Sequence, residues 1–275
     1  MNQRLTKKFL EQTYLRDGLS TWAIEKKYGY TRSRVYAALK RHGIPTRSVA
    51  ASHIQYARRN FSGGELERAY ITGFAIGDLR VRRHNKSHSE TISIGCGSTQ
   101  LAQIKLFESL FSSYGRVWRG RPDKRGAINI EAFVDRSFEF LLPDQRVYEW
   151  TLRNERTFFA FLGGFTDAEG SFYLTRGQAR IAWGNYDREI LSFVRQGLLN
   201  FRIETPALYC DTLQGHIGSH GYRRNKNYCH VTCAKKSVVL AVLDKLEPFL
   251  RHADKRKDAM RVRENVLTRN EKYGT

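Results

Sequence analysis

One short segment of the 275-residue chain occurs twice. Residues 161–170 read FLGGFTDAEG, an apolar stretch rich in small residues that ends in an acid, and residues 71–79 form a weaker copy, ITGFAIGDL. Each stretch predicts an apolar helix whose last residue is a carboxylate, Asp78 in the first copy and Glu169 in the second. The C-terminus of a helix carries partial negative charge, so an acid there is unfavourable unless a cation lies beside it. The duplication therefore predicts two related halves, each contributing an acid that needs a cationic partner.

The sequence that follows each acid repeats as well. Residues 94–98 resemble 181–185 at an offset of 87, and residues 133–136 resemble 232–235 at an offset of 99. Each half is predicted as the acid-ended helix, two strands, a long amphipathic helix, further strands and a closing helix. The larger offset places an insertion near 205–229 in the second half. We expect an α+β fold in which the two halves pair about a pseudo-two-fold axis, like a fused dimer.

Small residues in both apolar helices predict that the helices pack against each other. They are spaced one turn apart, which lets two backbones approach closely: Gly73, Gly77, Gly164 and Ala168. Such pairing brings Asp78 and Glu169 together at one end. Two neighbouring carboxylates repel unless a divalent cation lies between them, and Mg²⁺ suits one or two carboxylates with water and phosphate oxygens. Asp167 faces another way on its helix and is interpreted as a structural acid or as one that supports a metal-binding residue.

The charge of the chain predicts a polyanionic partner. Lys and Arg number 47 against 27 Asp and Glu, a formal net charge of +20. A nucleic acid offsets such an excess best, and a basic protein without such a partner is the alternative. A membrane surface is less suitable, because the sequence contains no basic amphipathic helix with a clean apolar face and no apolar run of spanning length. Without a secretory leader in its first residues, the chain is expected to be a soluble intracellular protein, in the cytoplasm, the nucleoid or another genome compartment.

Residues 1–48 are predicted as a helix-turn-helix module, followed by a basic linker over 49–64 that ends in two glycines. Helices are expected over 6–16, 21–28 and 32–41, with Ser20 and Thr31 as N-caps and Gly29 in the turn. The expected core consists of Trp22, Ile24, Val35, Ala38 and Leu39. The outer face would carry Arg32, Arg34, Tyr36, Lys40 and Arg41. Residues 1–60 hold 13 Lys and Arg against 3 Asp and Glu, which favours DNA contact over a solvated three-helix bundle.

The strands after each acid are predicted to present a polar face. Leu79 and Val81 alternate with arginines, and Phe172 and Leu174 alternate with polar residues, so the apolar side should pack on the helices. The opposite side would form a concave surface suited to a DNA groove. Candidate DNA-contacting residues outside the N-terminal module are Arg80, Arg82, Arg119, Arg121, Tyr173, Arg176, Arg180, Arg223, Arg224 and Lys226. Lys124 and Arg125 are further basic residues of the first half.

Four cysteines stand at irregular spacing and do not predict a disulfide framework. Cys229 and Cys233 lie near His216, His220 and His230, so a zinc site is an alternative. The alternation of residues 228–233 favours a half-buried strand in which the cysteines are small core residues.

The two acid-ended segments resemble the paired motifs of the LAGLIDADG homing endonucleases in their single-chain form, over roughly residues 65–275. The resemblance implies an αββαββα fold for each unit, 65–155 and 156–275, in a monomer. It also implies Mg²⁺-dependent cleavage of both strands of a long asymmetric DNA duplex, with Mn²⁺ as a substitute metal and short 3′ overhangs as products. The metal-binding acids fall on Asp78 and Glu169. Ser98 and Asn185 match polar residues of the family's water network, and Lys255 matches a supporting lysine of the closing segment.

The first copy departs from the family pattern. Ile76 stands where the family often has its first acid, Leu79 stands where it has glycine, and the first closing segment, 143–146, contains arginine but no lysine. The two half-sites are therefore expected to be chemically unequal, with nicking or slow cutting of one strand as an alternative to full double-strand cleavage. Two alternatives to an active endonuclease stay open: a non-cleaving DNA-binding regulator and a partner of intron RNA.

Overall fold

The computed structural model describes residues 5–46, 56–84, 89–212, 214–217, 223 and 225–274. The chain divides into an N-terminal unit up to Ala57, to which segment 88–90 belongs, and a larger unit formed by the rest. No helix in the described ranges is long and apolar enough to cross a membrane.

The described part of the N-terminal unit contains three helical segments. Helix α1 (Lys7–Leu10) continues as a π-helical stretch (Glu11–Arg16), and α2 (Thr21–Tyr28) and α3 (Arg32–Arg41) follow. Ser20 caps α2 by accepting from the amide of Ala23 at 3.0 Å, and Gly29 ends it with a φ of +76°. These bounds agree with the sequence prediction to within one residue, although the Thr31 side chain makes no capping bond to α3.

One core assignment in the N-terminal unit is wrong. Trp22 is 56% exposed, whereas Ile24, two positions along α2, is fully buried. Two residues separate side chains by about 200° around a helix, so these two cannot share the buried face. The Trp22 ring instead lies beside the ammonium of Lys26, 5.3 Å from the ring centroid.

The larger unit begins with the first half of the repeat. Helix α4 (Glu65–Asp78) leads to β1 (Arg80–Arg83), β2 (Thr91–Ser98), α5 (Leu101–Phe111), β3 (Arg116–Arg119) and β4 (Ile128–Asp135). The strands form an antiparallel sheet in the order β1-β2-β4-β3. This half closes with two 3₁₀ segments, Arg136–Leu141 and Glu149–Arg153, where a closing helix was expected.

The second half repeats the pattern. Helix α6 (Glu155–Glu169) leads to β5 (Gly170–Thr175), β6 (Gln178–Asn185), α7 (Arg188–Asn200), β7 (Tyr209–Thr212) and β8 (Tyr228–Cys233). Its sheet has the matching order β5-β6-β8-β7. Helix α8 (Lys236–Leu246), a 3₁₀ turn (Glu247–Phe249) and the long α9 (Ala253–Tyr273) complete the chain. The α+β fold of two repeated units is confirmed.

Helices α4 and α6 pack with their backbones in direct contact. A Cβ atom added to Gly73 would lie 2.0 Å from the carbonyl oxygen of Phe161, and one added to Gly164 would lie 1.9 Å from that of Tyr70. No side chain fits into such spaces, so the two glycines allow the approach. Further along, a Cβ on Gly77 would lie 2.4 Å from that of Ala168. The pairing predicted from the small residues is therefore confirmed, and it places the acid-bearing ends of the two helices side by side.

Each sheet packs one face against the helices, whereas the other face carries exposed and half-buried side chains beside the buried Ser93 and Ala182. In β1, Val81 is buried while Arg80 and Arg82 are exposed, as the alternation predicted. The prediction is wrong for Leu174, which is 39% exposed although Phe172 is buried. Leu174 lies next to the hairpin at Arg176 and Gly177, at the end of β5.

The cysteine prediction also needs correction. Cys210 and Cys229 form a disulfide. They lie directly opposite each other on β7 and β8, although 19 positions separate them in sequence, and that register could not be predicted from their spacing. Cys96 and Cys233 are buried free thiols. The described ranges contain no group of three or more His, Cys, Asp or Glu side chains placed to hold a metal, and His220, considered for zinc, lies outside them.

Candidate functional site

Two carboxylates meet at the paired helix ends. Asp78 is the last residue of α4 and Glu169 the last residue of α6. A Cβ placed on Gly77 would lie 2.8 Å from Cγ of Glu169, so the Glu169 side chain lies against the end of the other helix. The charge of Asp78 acts directly on Glu169. The two acids of the repeat therefore form one electrostatically coupled pair.

Three polar side chains surround this pair. Gln103 donates from Nε2 to Oδ2 of Asp78 at 2.6 Å, and Asn185 donates from Nδ2 to Oε1 of Glu169 at 3.2 Å. Lys255 reaches the site from α9 and donates from Nζ to the carbonyl oxygen of Gly170, the residue after Glu169. Each carboxylate thus has an amide donor, and the charge of the Lys255 ammonium acts on both carboxylates.

Both carboxyl groups have raised pKa values. Burial by the surrounding protein raises the pKa of Asp78 to about 6, against the opposing effects of Lys255 and the Gln103 hydrogen bond. Burial and, to a smaller degree, the charge of Asp78 together raise the pKa of Glu169 to about 7, against the opposing effect of Lys255. Asp78 keeps an exposed surface, so its burial is partial. Near neutral pH the pair resists full ionisation, and a cation between the two groups would favour it.

The donor set fits a hard divalent cation. The pair offers carboxylate oxygens, the ligands Mg²⁺ prefers, and Mg²⁺ commonly uses one or two of them with water and phosphate oxygens. Ca²⁺ usually takes six to eight oxygen ligands, more than these two side chains supply. Asp78 and Glu169 are the residues that would hold such an ion.

Among the described residues Ser98 has no hydrogen bond to either acid, and Gln103 was not foreseen. The Ser98 hydroxyl accepts from the backbone of Gln100 at 3.0 Å, a local turn contact. The amide that contacts Asp78 comes instead from Gln103, which is 6% exposed on the buried face of α5. A polar residue in the buried stripe of an apolar helix was the available signal, since Gln103, Phe107 and Leu110 follow helical spacing.

The candidate DNA-contacting residues of the first half lie at its exposed surface. Arg80 and Arg82 stand on the outer face of β1, and Arg82 pairs with Glu131 of β4 at 3.3 Å. Arg119, at the end of β3, is 4.0 Å from Glu108. Arg121 is exposed in the loop that follows, as are Lys124 and Arg125.

In the second half, Tyr173 and Arg180 are direct neighbours across β5 and β6. Arg176 is exposed at the hairpin between these strands, and Arg223 and Lys226 are exposed further along. Arg224 lies outside the described residues. In the N-terminal unit, Arg32, Arg34 and Lys40 are exposed on α3, where Arg32 pairs with Glu25 at 3.0 Å.

The outer face of the second sheet also carries aromatic side chains that were not proposed as contacts. The ring of His230 lies 5.4 Å from that of Tyr209 and 4.8 Å from that of Tyr228, and its Nε2 is 3.1 Å from Asp211. The alternation of residues 228–233 was the available signal, because it assigned Tyr228 and His230 to one face.

Comparison with known proteins identifies one domain. Residues 157–226 match the family model described as a LAGLIDADG-like domain. The second half thus contains a LAGLIDADG-like domain, as the resemblance of segment 161–170 predicted. The first half lies outside the matched range.

Solved structures with a related shape include homing endonucleases. Mesophilic variants of the homing endonuclease I-DmoI are 16% identical, with 66% of this chain and 95% of theirs covered at a TM-score of 0.48. The LAGLIDADG meganuclease I-AabMI bound to uncleaved DNA is 11% identical, with coverages of 74% and 91% and a TM-score of 0.49. Full-length DUF199/WhiA from Thermatoga maritima is 16% identical, with coverages of 77% and 63% and a TM-score of 0.48. No curated protein sequence matches the chain.

Proposed function

We propose that this protein is a site-specific DNA endonuclease that hydrolyses both strands of a long asymmetric duplex with a divalent metal ion. The observation that carries the proposal is the coupled pair Asp78 and Glu169, which stands where two apolar helices meet and where each half contributes one acid. A purely structural role would not require two partly buried acids with raised pKa values to face each other.

DNA binding is assigned to the outer faces of the two sheets. Arginines there would neutralise phosphates, and side chains on alternate strand positions would contact base edges in the major groove. The net charge of +20 supports a partner with many phosphates. Because the two outer faces differ in composition, the preferred target is expected to be asymmetric.

The metal is assigned to Asp78 and Glu169, with Mg²⁺ as the expected ion and Mn²⁺ as a substitute. A bound divalent ion supplies Lewis-acid polarisation of the phosphodiester and lowers the pKa of water. Gln103 and Asn185 fix the orientation of the two carboxylates through the hydrogen bonds described above. Lys255 places positive charge beside both acids, where it lowers their pKa values and would stabilise negative charge that develops at the phosphate. Short 3′ overhangs, implied by the family resemblance, belong to the same proposal.

The N-terminal unit is proposed as an additional DNA anchor. On α3 the exposed residues Arg32, Tyr36 and Lys40 follow one another at intervals of four and therefore share a face. A basic helical face of this kind suits the backbone or major groove of a duplex. This contact would lengthen the DNA footprint beyond that of the two sheets.

Cleavage selection over randomised duplex DNA with Mg²⁺ tests the proposal. Double-strand products from a defined sequence are expected with wild type, and Glu169→Gln should abolish them while it retains binding to that sequence. Glu155→Gln is the matched control, because it makes the same change at the other end of α6. If Glu169→Gln cuts as well as wild type, the catalytic assignment fails. Tight sequence-specific binding without cleavage in Mg²⁺ or Mn²⁺ would instead identify a DNA-binding regulator, a role that the unequal halves also suit.

A further inference from the structure

Asp167, two residues before Glu169 on α6, makes contacts outside the carboxylate pair. It is 1% exposed, and a single oxygen, Oδ2, accepts three hydrogen bonds. The donors are the hydroxyl of Tyr70 on α4 at 2.5 Å, the amide of Arg251 at 2.7 Å and the amide of His252 at 3.1 Å. One buried carboxylate thus connects both central helices to the turn that precedes α9.

A second set of contacts holds the same turn. The Arg251 guanidinium donates to both carboxylate oxygens of Glu67 on α4, at 3.0 and 2.5 Å. It also lies over the ring of Tyr70, 4.0 Å from the centroid. Bidentate pairing together with stacking fixes a guanidinium in both position and plane. The residues from 251 to 252 are therefore attached to α4 and α6 through backbone and side chain alike.

The turn leads directly to Lys255. His252 is the N-cap residue of α9 and is itself 1% exposed, and its Nδ1 accepts from the amide of Lys255 at 3.4 Å. The first turn of α9 then directs the ammonium of Lys255 to the carbonyl oxygen of Gly170. A short path of contacts therefore runs from Asp167, through the turn, to the ammonium beside Glu169.

The first half of the repeat has no counterpart of Asp167 or of Lys255, the two residues at the ends of this path. Ile76 occupies the position equivalent to Asp167, at the same offset of 91 that relates Asp78 to Glu169. Its closing segment has Arg146, which donates to the carbonyl oxygens of Leu141 at 3.0 Å and of Ala75 at 3.4 Å. The buried acid and the lysine at the site therefore occur together in one half and are both missing from the other.

We propose that Asp167 is a positioning residue for Lys255: by holding the turn at 251–252 against the central helices, it places the Lys255 ammonium beside the Asp78–Glu169 pair. The inference rests on the proposed endonuclease function, because the task of the lysine is defined by that reaction. Asp167 itself does not touch the reacting groups, since its Oδ2 faces Tyr70 and the turn.

A double-mutant cycle on single-turnover DNA cleavage tests the proposal. Asp167→Ala is expected to lower the cleavage rate by roughly 10- to 100-fold, as loss of a supporting contact does at metal sites. In a Lys255→Ala background the same change should lower the cleavage rate by less than about threefold, because a residue that acts through Lys255 has no further effect once Lys255 has been removed. DNA affinity measured in Ca²⁺ should stay within about threefold of wild type in each case, since neither residue lies on the outer face of a sheet.

Two further variants separate positioning from a loss of stability. Asp167→Asn keeps a carbonyl acceptor and is expected to lower the cleavage rate by about threefold to tenfold, again only when Lys255 is present. It can replace Asp167→Ala in the double-mutant cycle if that variant does not fold. Val134→Ala removes buried volume from β4 in the first half of the repeat and should destabilise the protein without lowering the cleavage rate. If the reductions in cleavage rate of the two single variants multiply in the double variant, the proposal is overturned.

Amide hydrogen exchange separates failure of this inference from failure of the proposed function. The amides of Arg251 and His252 should be protected in wild type and lose protection in Asp167→Ala, whether or not the protein cleaves DNA. If wild type never cleaves, the endonuclease proposal fails, and exchange alone decides whether Asp167 holds the turn. Unchanged protection in Asp167→Ala would overturn the positioning role.

Discussion

The two halves of the larger unit share their frame and differ in their polar groups. Each contributes one acid at the end of a glycine-containing helix, but the partners of the acids come from different elements. Asp78 receives its amide from Gln103 on α5, whereas Glu169 receives it from Asn185 at the end of β6. Ile190 occupies the place of Gln103 in α7. An apolar frame can thus be repeated while the polar groups that it holds become unequal.

The outer faces of the sheets differ in the same way. The first presents Arg80, Arg82 and Arg116, with Glu131 beside them. The second presents Tyr173, Tyr209, Tyr228 and His230, with Arg180 beside Tyr173. Guanidinium groups suit phosphates and guanine edges, whereas aromatic rings offer apolar contact and hydroxyl groups. Equivalent surfaces of the repeat are thus expected to recognise different parts of a target.

The largest expected effect concerns whether the two acids are equal. Asp78→Asn and Glu169→Gln should each lower double-strand cleavage by about 10³-fold or more, because loss of a proposed metal ligand would remove several kcal/mol of transition-state stabilisation. Gels that resolve the two DNA strands would measure the cleavage of each strand separately. If the halves are unequal, one variant should accumulate nicked DNA and the other should leave both strands intact. Full double-strand cleavage by either variant would contradict a shared site.

The next effect separates the cationic residues of the two closing segments. Lys255→Met should lower the single-turnover rate by about 10²-fold with little change in stability, because its ammonium acts on both acids. Arg146→Met should instead lower the free energy of unfolding by about 1–3 kcal/mol, since it removes donors from the carbonyl oxygens of Leu141 and Ala75. Chemical denaturation and cleavage measured on the same samples would test both. An Arg146→Met variant that folds normally but does not cleave would show that the two residues are equivalent after all.

A smaller effect distinguishes Gln103 from Ser98. Gln103→Ala should slow cleavage by about 10-fold, the low end for a residue that supports a metal ligand, because Asp78 loses its amide donor. Ser98→Ala should be neutral, since the serine hydroxyl accepts its hydrogen bond from the nearby backbone amide of Gln100. Equal losses for the two variants, measured as cleavage rates at saturating metal, would contradict this assignment.

The sequence alone predicted the apolar helices, their pairing and the strand pattern, because these follow from local periodicity and from small residues at fixed spacing. Gln103 was missed because its role depends on where α5 lies relative to Asp78, a tertiary relation that no local pattern contains. The same holds for the disulfide between Cys210 and Cys229, which depends on the register of β7 against β8. The path from Asp167 to Lys255 joins residues far apart in the chain, so only the interpretation of Asp167 as a structural or supporting acid was within reach.

The smallest expected effect concerns the stability of the metal-free protein. The folded-state pKa values of Asp78, about 6, and Glu169, about 7, lie above their usual values of 3.8 and 4.5, chiefly because of burial. A raised carboxyl pKa means that ionisation of the group opposes folding. The two acids therefore contribute stability that is fully present below about pH 4 and is lost as the pH rises through their folded-state pKa values.

Replacement of one carboxyl group should therefore stabilise the apoprotein at high pH. In EDTA at pH 8, Glu169→Gln should raise the free energy of unfolding by on the order of 1 kcal/mol, a figure reduced for solvent screening at this partly exposed site. At pH 4 the variant and wild type should unfold alike, because both acids are then protonated. Asp144→Asn, on an exposed loop, is the control and should change neither value. A Glu169→Gln variant that is less stable than wild type at pH 8 would mean that Glu169 stabilises the fold, which would remove the argument that this acid is kept for a cation.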